Sequence, residues 1–183
     1  LSDSLMLNPF LLYIASDDAS AWATDNEEVA VYYLGVSVDK KLEGASIWFT
    51  GIISGGDVDS VSLGDTVSVS SNLAALGGEI DLGSAVVHCE FLYASGDDDL
   101  TDDEATDFYV PDGNSYYWAE IMGLGIFDNT GSANAPADAI SNLMAANVGA
   151  SFSPKEDLTV TADLWYASLA EDDAAGNSDL GIE

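Results

Sequence analysis

Residues 145–167, AANVGASFSPKEDLTVTADLWYA, show the clearest alternation of apolar and polar side chains in the chain. In each half of this stretch every second residue is apolar and the residues between are small or polar, a period of two that predicts a β-strand. Pro154 and the polar residues 155–157 separate the halves and predict a tight turn. The stretch is therefore predicted to form an amphipathic hairpin with arms of about ten residues, the length of a tilted membrane-crossing strand.

The same alternation predicts two further hairpins, each with a short polar turn between its strands. Their strands and turns are residues 29–39 and 42–53 around Lys40 and Lys41, and residues 73–82 and 85–93 around Gly83 and Ser84. Residues 5–15 are apolar and include Pro9, which predicts an edge strand or an irregular strand. Residues 54–71 are rich in Gly, Ser and Asp and predict a loop or a small extra hairpin.

The short turns must share one end of the sheet if the strands form an up-and-down meander, because each strand reverses the direction of the one before. Residues 96–143 then make no net crossing of the sheet, which means that they begin and end at the same end of the strands. They form one long connection. Within it, Pro136 followed by apolar residues up to Met144 predicts a short helix. The predicted fold is an all-β antiparallel up-and-down meander, a single domain over residues 1–183, with one short helix in a long loop.

The balance of charged residues excludes some classes of function. The 183 residues include 33 acidic residues, three lysines and no arginine, for a formal net charge of -30, yet 48% are hydrophobic. That hydrophobic fraction argues against disorder, and the few cations exclude nucleic acid as a partner. Lys40, Lys41 and Lys155 all fall in the predicted short turns. Positive charge is thus predicted at one end of the strands and most acidic residues in the long loops at the other.

Strands of this length, with tight turns at one end and long polar loops at the other, resemble a bacterial outer-membrane β-barrel. The stretch SNLMAANVGASFSPKEDLTVTADLWYASLAEDD is similar to uncharacterised porin-like proteins related to the alginate-export barrels of Gram-negative bacteria. The resemblance implies a transmembrane barrel, and we expect the chain to be either part of such a barrel or a barrel trimmed at both ends. Alginate-export barrels are understood to have an arginine-lined lumen, so their anionic solute is not implied for a chain without arginine.

Six residues on the polar strand faces are predicted to line the passage of such a barrel. They are His88, Glu90, Asn147, Thr159, Thr161 and Asp163. His88 and Glu90 are two residues apart, so they could also form a proton-transfer pair, although a histidine that lines a polar interior is much commoner. There is no nucleophile elbow, phosphate-binding loop or CxxC motif in the sequence, and we expect no enzyme activity.

Aromatic and acidic residues supply two further predictions. Trp48, Trp118, Trp165 and several tyrosines are candidates for interfacial belts in a membrane or for the core of a soluble sandwich. The acidic run that follows the third hairpin is a candidate calcium site, because carboxylates suit a hard cation. Its candidate ligands are Asp97, Asp99, Asp102, Asp103, Asp112 and Asn114. The spacing does not match an EF-hand, and a solvated acidic loop is the commoner interpretation; no other cofactor is expected.

Two functions from different classes remain. The first is a passive outer-membrane channel for small solutes or ions that favours cations, with residues 96–143 narrowing or gating its mouth. The alternative is a secreted, calcium-dependent structural β-protein whose strand edges join copies into a filament or surface layer. A soluble carbohydrate-binding sandwich ranks third. Alternation shows that one strand face is apolar, but lipid and a second sheet are equally good covers for it.

Overall fold

The computed structural model describes residues 4–17, 26–60, 65–99, 102–110, 140–172 and 179–182. Nine strands account for most of them. The strands are β1 Ser4–Ser16, β2 Asn26–Leu42, β3 Ala45–Ser60, β4 Asp65–Asp81, β5 Val86–Ala94, β6 Glu104–Ala105, β7 Leu143–Lys155, β8 Leu158–Ser168 and β9 Asp179–Ile182. No helix in these ranges is long and apolar enough to span a membrane.

The strands form one sheet in which each long strand pairs antiparallel with the next along the chain. The order is β1-β2-β3-β4-β5-β7-β8-β9, and the two-residue strand β6 pairs in parallel with Ser68 and Val69 of β4. The predicted all-β antiparallel meander is confirmed. Because β5 pairs directly with β7, the chain between them makes no net crossing, as the positions of the short turns predicted.

The helix predicted after Pro136 is wrong at its C-terminal end. Leu143 and Met144 begin β7, where they pair with Ala94 and Tyr93 of β5, and residues 136–139 lie outside the described residues. Leu143 and Ala145 are both almost completely buried, so strand alternation explains the apolar residues in this stretch. A short apolar run does not distinguish a helix from a strand.

The short turns form at or close to their predicted positions. The β2–β3 turn is Glu43 and Gly44, whereas the predicted turn residues Lys40 and Lys41 extend β2. The turn at Gly83 is confirmed. Gly44 and Gly83 have φ angles of 73° and 83°, a left-handed conformation that glycine adopts without steric cost. These two turns therefore form where a glycine allows a left-handed conformation, and not where charge first appears.

The third turn, Glu156 and Asp157, follows the last residue of β7, Lys155. All three lysines thus lie at the short-turn ends of strands, as predicted, although Lys40 and Lys41 belong to β2 itself. Positive charge is confined to this end of the described sheet.

Two stretches that lacked clear alternation are also strands. β1 pairs with β2 alone among the described strands, so the predicted edge strand is confirmed, and an edge tolerates Pro9, which has no N–H to donate. Residues 54–71, predicted as a loop or small hairpin, lie instead mostly in the far ends of β3 and β4. Polar pairs join these ends, including Ser54 Oγ and Ser71 Oγ at 2.5 Å.

The register gives the sheet two very different faces. The outer face carries large, exposed apolar side chains on every long strand from β1 to β8. They include Leu7, Leu11, Leu34, Phe49, Ile53, Leu76, Phe91, Val148, Leu164 and Tyr166. Within the described residues nothing packs over these side chains, so this face is apolar and uncovered.

The short turns are staggered across the sheet. Ala45, the first residue of β3, shares a register row with Ile80, Val87 and Ala150. β7 continues beyond Ala150 to Lys155 before it turns. The β7–β8 turn is therefore displaced along the strands from the β2–β3 turn, which means that the strands are inclined to the line on which the turns lie.

The opposite, inner face is polar near the short turns and apolar near the long connections. Residues 95–99, 102–110 and 140–142 cover its apolar half and complete the buried core. The larger core residues are Val29, Val31, Tyr33, Leu73, Leu92, Phe108, Ile140, Leu143 and Trp165, with Trp48 packed at the margin. Trp48 and Trp165 thus belong to the inner face, and the predicted interfacial belt does not hold for them; Trp118 lies outside the described residues.

Candidate functional site

All six residues predicted to line a passage lie on the inner face, in or beside its polar half. His88 and Glu90 come from β5, Asn147 from β7, and Thr159, Thr161 and Asp163 from β8. These strands are neighbours because the chain between β5 and β7 makes no net crossing. That these six residues line a passage stays a prediction. Their position on one face of the sheet is part of the observed fold.

His88, Asn147 and Asp163 are hydrogen-bonded to one another across three strands. His88 Nε2 lies 2.6 Å from Asp163 Oδ1, and Asn147 Nδ2 donates to the same oxygen at 3.1 Å. His88 therefore bonds across the sheet, whereas its sequence position suggested a partner two residues along its own strand, at Glu90. The His88 and Asp163 side chains are 28% and 34% exposed, so solutes at the inner face can reach the pair.

A glycine makes this bond geometrically feasible. Gly149 of β7 pairs with His88 on one side and with Asp163 on the other. A Cβ atom on Gly149 would collide with both side chains. The two side chains therefore lie flat over the backbone of β7, and no β7 side chain projects from the inner face at this point.

Hydroxyl groups extend the polar surface on both sides of this cluster. Each of the following pairs joins directly opposite residues or near neighbours on adjacent strands: Ser37 with Thr50 at 3.0 Å, Ser46 with Glu79 at 3.2 Å, Ser151 with Thr161 at 2.8 Å and Ser153 with Thr159 at 3.0 Å. Cross-strand pairs of this kind stabilise a sheet by about 0.2–1 kcal/mol each. Many polar side chains of the inner face therefore have hydrogen-bond partners within that same face.

The polar half of the inner face is strongly acidic. Its carboxylates are Asp39, Glu79, Asp81, Glu90 and Asp163, and its basic side chains are Lys41 and His88. A surface with an excess of one charge raises the local concentration of ions of opposite sign. This surface consequently attracts cations and repels anions.

The segment after β5 folds back over the apolar half of the inner face. Phe108 is 3% exposed, and its ring meets that of Tyr33 edge to face, with centroids 6.2 Å apart. The Tyr33 hydroxyl donates to the Tyr109 carbonyl at 3.0 Å. The Ser95 carbonyl accepts from the backbone N–H groups of Phe108 and Asn142 at 2.9 and 3.0 Å. These contacts fix residues 95–99 and 102–110 against the inner face of the sheet.

The acidic side chains of this segment chiefly accept hydrogen bonds from backbone N–H groups of the same segment. Asp97 accepts from the N–H groups of Asp99 and Thr106 at 3.0 and 3.4 Å, and Asp102 accepts from that of Glu104 at 2.9 Å. In the described ranges, no group of three or more His, Cys, Asp and Glu residues is arranged to hold a metal ion. Of the predicted calcium ligands, the described ranges include Asp97, Asp99, Asp102 and Asp103 but not Asp112 and Asn114. The calcium site stays a prediction.

Asp107 makes the docking of this segment dependent on pH. Burial raises the pKa of Asp107, the negative charge of Asp97 raises it further, and a hydrogen bond donated by Ser141 Oγ at 3.3 Å opposes the shift. The docked state therefore disfavours the ionised carboxylate. Its contribution to docking is present in full below the ordinary aspartate pKa and is lost as the pH rises through the raised pKa.

We expect Asp107→Asn to abolish this pH dependence. After correction for intrinsic exchange rates, the amides of residues 102–110 should lose protection from hydrogen exchange as the pH rises above the ordinary aspartate pKa in the unchanged protein, but not in the variant. Asp98→Asn removes an exposed carboxylate from the same segment and should retain the dependence. An equal loss of protection in Asp107→Asn and the unchanged protein would contradict the role of Asp107.

Two residues of this surface were missed by the sequence interpretation. Trp48 lies between Ser46 and Thr50, two polar residues that strand alternation places on the same face as Trp48, so its inward position could have been predicted. The role of Gly149 could not, because it depends on which residues of β5 and β8 lie beside it in register.

No protein-family model matches the chain, and a search of the curated proteins finds no match either. Inference about function therefore depends on the two faces of the sheet.

Proposed function

We propose that this protein is an outer-membrane, porin-like channel for the passive passage of small solutes, with a preference for cations. The proposal depends above all on one observation, the apolar outer face that is uncovered within the described residues and extends over every long strand from β1 to β8. Contiguous apolar surfaces of this extent are rare on water-soluble monomers. Lipid is a suitable cover, because every strand of a barrel wall presents apolar side chains to the membrane and polar ones to the lumen.

The dimensions of the apolar band support a membrane position. On β3 the outer positions are small or apolar from Ala45 to Ile53 and become acidic at Asp57 and Asp59. At about 3.4 Å per residue the band is about 27 Å long, or about 21 Å high for strands tilted by about 40°. The apolar band of outer-membrane barrels is about 25 Å high. The staggered turns also suit inclined strands.

Tyrosines occur where the outer face approaches the long connections. Tyr13, Tyr32, Tyr93 and Tyr166 all point to this face. Tyrosine is favoured at the boundary between lipid and water because its ring is apolar and its hydroxyl is polar. Their position supports a membrane boundary on the long-loop side.

The inner face supplies the selectivity. Its carboxylates outnumber its basic groups, so a passage along it favours cations. The docked residues 95–99 and 102–110 cover the end of this face that is furthest from the short turns, which supports a role in narrowing the mouth.

Reconstitution of the full-length protein in planar bilayers tests the proposal. With a salt gradient across the bilayer, we expect stepwise conductance and a reversal potential of the sign produced by cation flow. Bilayers that stay silent, or a reversal potential of the opposite sign, would contradict a cation-favouring channel.

One observation favours the alternative, a calcium-dependent structural protein. Among the described strands, β1 pairs on one side only, and such an edge can accept a strand from a second copy. Filaments that form in water without detergent and dissolve on addition of a chelator would support assembly over transport.

A further inference from the structure

The inner wall contains a polar cavity of about 230 Å³ near the short turns. The side chains that face it are Ser46, Trp48, Glu79, His88, Glu90 and Asn147. We propose that this cavity binds an organic ammonium ion, with Trp48 as the aromatic surface and Glu79 and Glu90 as counter-charges. The inference rests on the proposed function, in which the inner face lines an aqueous passage, and it names the solute class that this passage favours.

Trp48 lies flat against the wall. Its partner in register is Gly77 of β4, and a Cβ on Gly77 would come within 2.5–2.6 Å of ring atoms Cε2, Cζ2 and Nε1. One face of the indole therefore covers Gly77, and the other face is turned away from the sheet. A cation over the face of an indole is attracted by the negative charge of the π-system, most strongly where water is displaced.

Trp48 also lies at the boundary between the polar and the apolar parts of the inner face. It contributes to the polar cavity and to a separate apolar cavity of about 390 Å³ that Phe108 and Ile140 help to enclose. An ammonium ion with alkyl substituents suits this boundary, because its charge can face the carboxylates while its carbon atoms contact the ring.

Two carboxylates lie close to the exposed indole face. Gly77 pairs with Trp48 on one side and with Glu90 on the other, so the strands of Trp48 and Glu90 are about 9.5 Å apart at the usual spacing. Glu79 is the next inner-face residue on β4, and its Oε1 accepts from Ser46 Oγ at 3.2 Å. A cation on the indole would therefore be within the field of both carboxylates.

The composition of the lining distinguishes ammonium from other ligand classes. A neutral sugar could stack on the indole, but it would gain nothing from the negative charge of Glu79 and Glu90, whereas an ammonium ion is attracted by both carboxylates. The ionised carboxylates donate no hydrogen bond and attract even a fully alkylated ammonium ion by charge alone. The volume is below the roughly 300–1,000 Å³ of pockets for drug-sized ligands, so the cavity suits a single head group.

Calorimetric titration of the full-length protein, folded in detergent micelles, tests the inference. The probes are choline and its uncharged carbon isostere, 3,3-dimethylbutan-1-ol. We expect choline to bind at least about tenfold more tightly than the isostere, because only choline gains the cation–π and carboxylate attraction. Equal affinity for the two probes, no binding of choline, or equal binding of glucose would overturn the inference.

Substitutions then locate the binding. Glu90→Gln and Trp48→Leu should each weaken choline binding about tenfold, whereas Trp48→Phe retains an aromatic face and should stay within about threefold. Glu156→Gln removes one carboxylate at the exposed β7–β8 turn and should leave affinity unchanged. Unaltered binding in Glu90→Gln, which preserves the size of the side chain, would overturn the inference even if Trp48→Leu does not fold.

The titration is independent of conduction, so the two proposals can fail separately. A protein that conducts cations but does not bind choline would overturn this inference and leave the proposed function standing. A protein that binds choline at Trp48 but never conducts would support the site and overturn the channel.

Discussion

Val148→Arg is expected to destabilise the protein in lipid by about 2–4 kcal/mol. Val148 is 54% exposed on the outer face and lies midway along the apolar positions of β7. If hydrocarbon surrounds this face, a guanidinium group at that depth loses its hydration without gaining a partner. The free energy of unfolding from phosphatidylcholine vesicles, obtained from denaturant titrations, measures the effect.

Ser151→Arg is the matched control for Val148→Arg. Ser151 lies on the same strand but on the inner face, where it bonds to Thr161 Oγ1 at 2.8 Å. An arginine there remains in water and replaces one hydroxyl pair, at a cost of about 1 kcal/mol or less. Equal destabilisation by the two substitutions would show that the outer face is not in lipid.

Phe108→Ala is expected to release residues 102–110 from the inner face. Truncation of a fully buried phenylalanine costs about 3–5 kcal/mol, which is more than the roughly 0.5–1.5 kcal/mol of any one hydrogen bond in this segment. Amides of residues 102–110 should lose protection from hydrogen exchange, and the single-channel conductance should rise because the mouth is no longer covered.

A milder variant separates release of the segment from general unfolding. Tyr33→Phe removes only the hydrogen bond to the Tyr109 carbonyl, worth about 0.5–1.5 kcal/mol, and should raise conductance less than Phe108→Ala does. If Phe108→Ala leaves both the amide protection and the conductance unchanged, the docked segment does not narrow the passage.

Much of the fold could be predicted because strand alternation is a local property. It identified the hairpin strands, and the positions of the short turns then required that the chain between β5 and β7 make no net crossing. Local patterns failed where they were ambiguous. The alternation of β2 continues through Lys40 and Lys41, so polarity alone placed that turn too early, and the apolar residues at Leu143 and Met144 suit a helix as well as a strand.

For the site, the sequence predicts which face of the sheet carries the residues, but not which of them are in contact. Alternation correctly grouped His88, Asn147 and Asp163 on the face opposite the apolar one, but it carries no information about register between strands distant in sequence. The bond from His88 to Asp163 joins residues 75 positions apart and passes over Gly149. Such a contact depends on how β5, β7 and β8 align, which a single sequence does not specify.

Cys89 offers the most direct test of the claim that the outer face contacts lipid. It is the only cysteine of the chain, it is exposed, and it lies on the outer face between His88 and Glu90 of the inner face. A bimane label on Cys89 of the full-length protein in vesicles should be quenched by brominated lipid and not by iodide. A label on Ser151→Cys, in a Cys89→Ala background, should show the opposite response. A Cys89 label that is quenched by iodide but not by brominated lipid would contradict a lipid-facing outer surface.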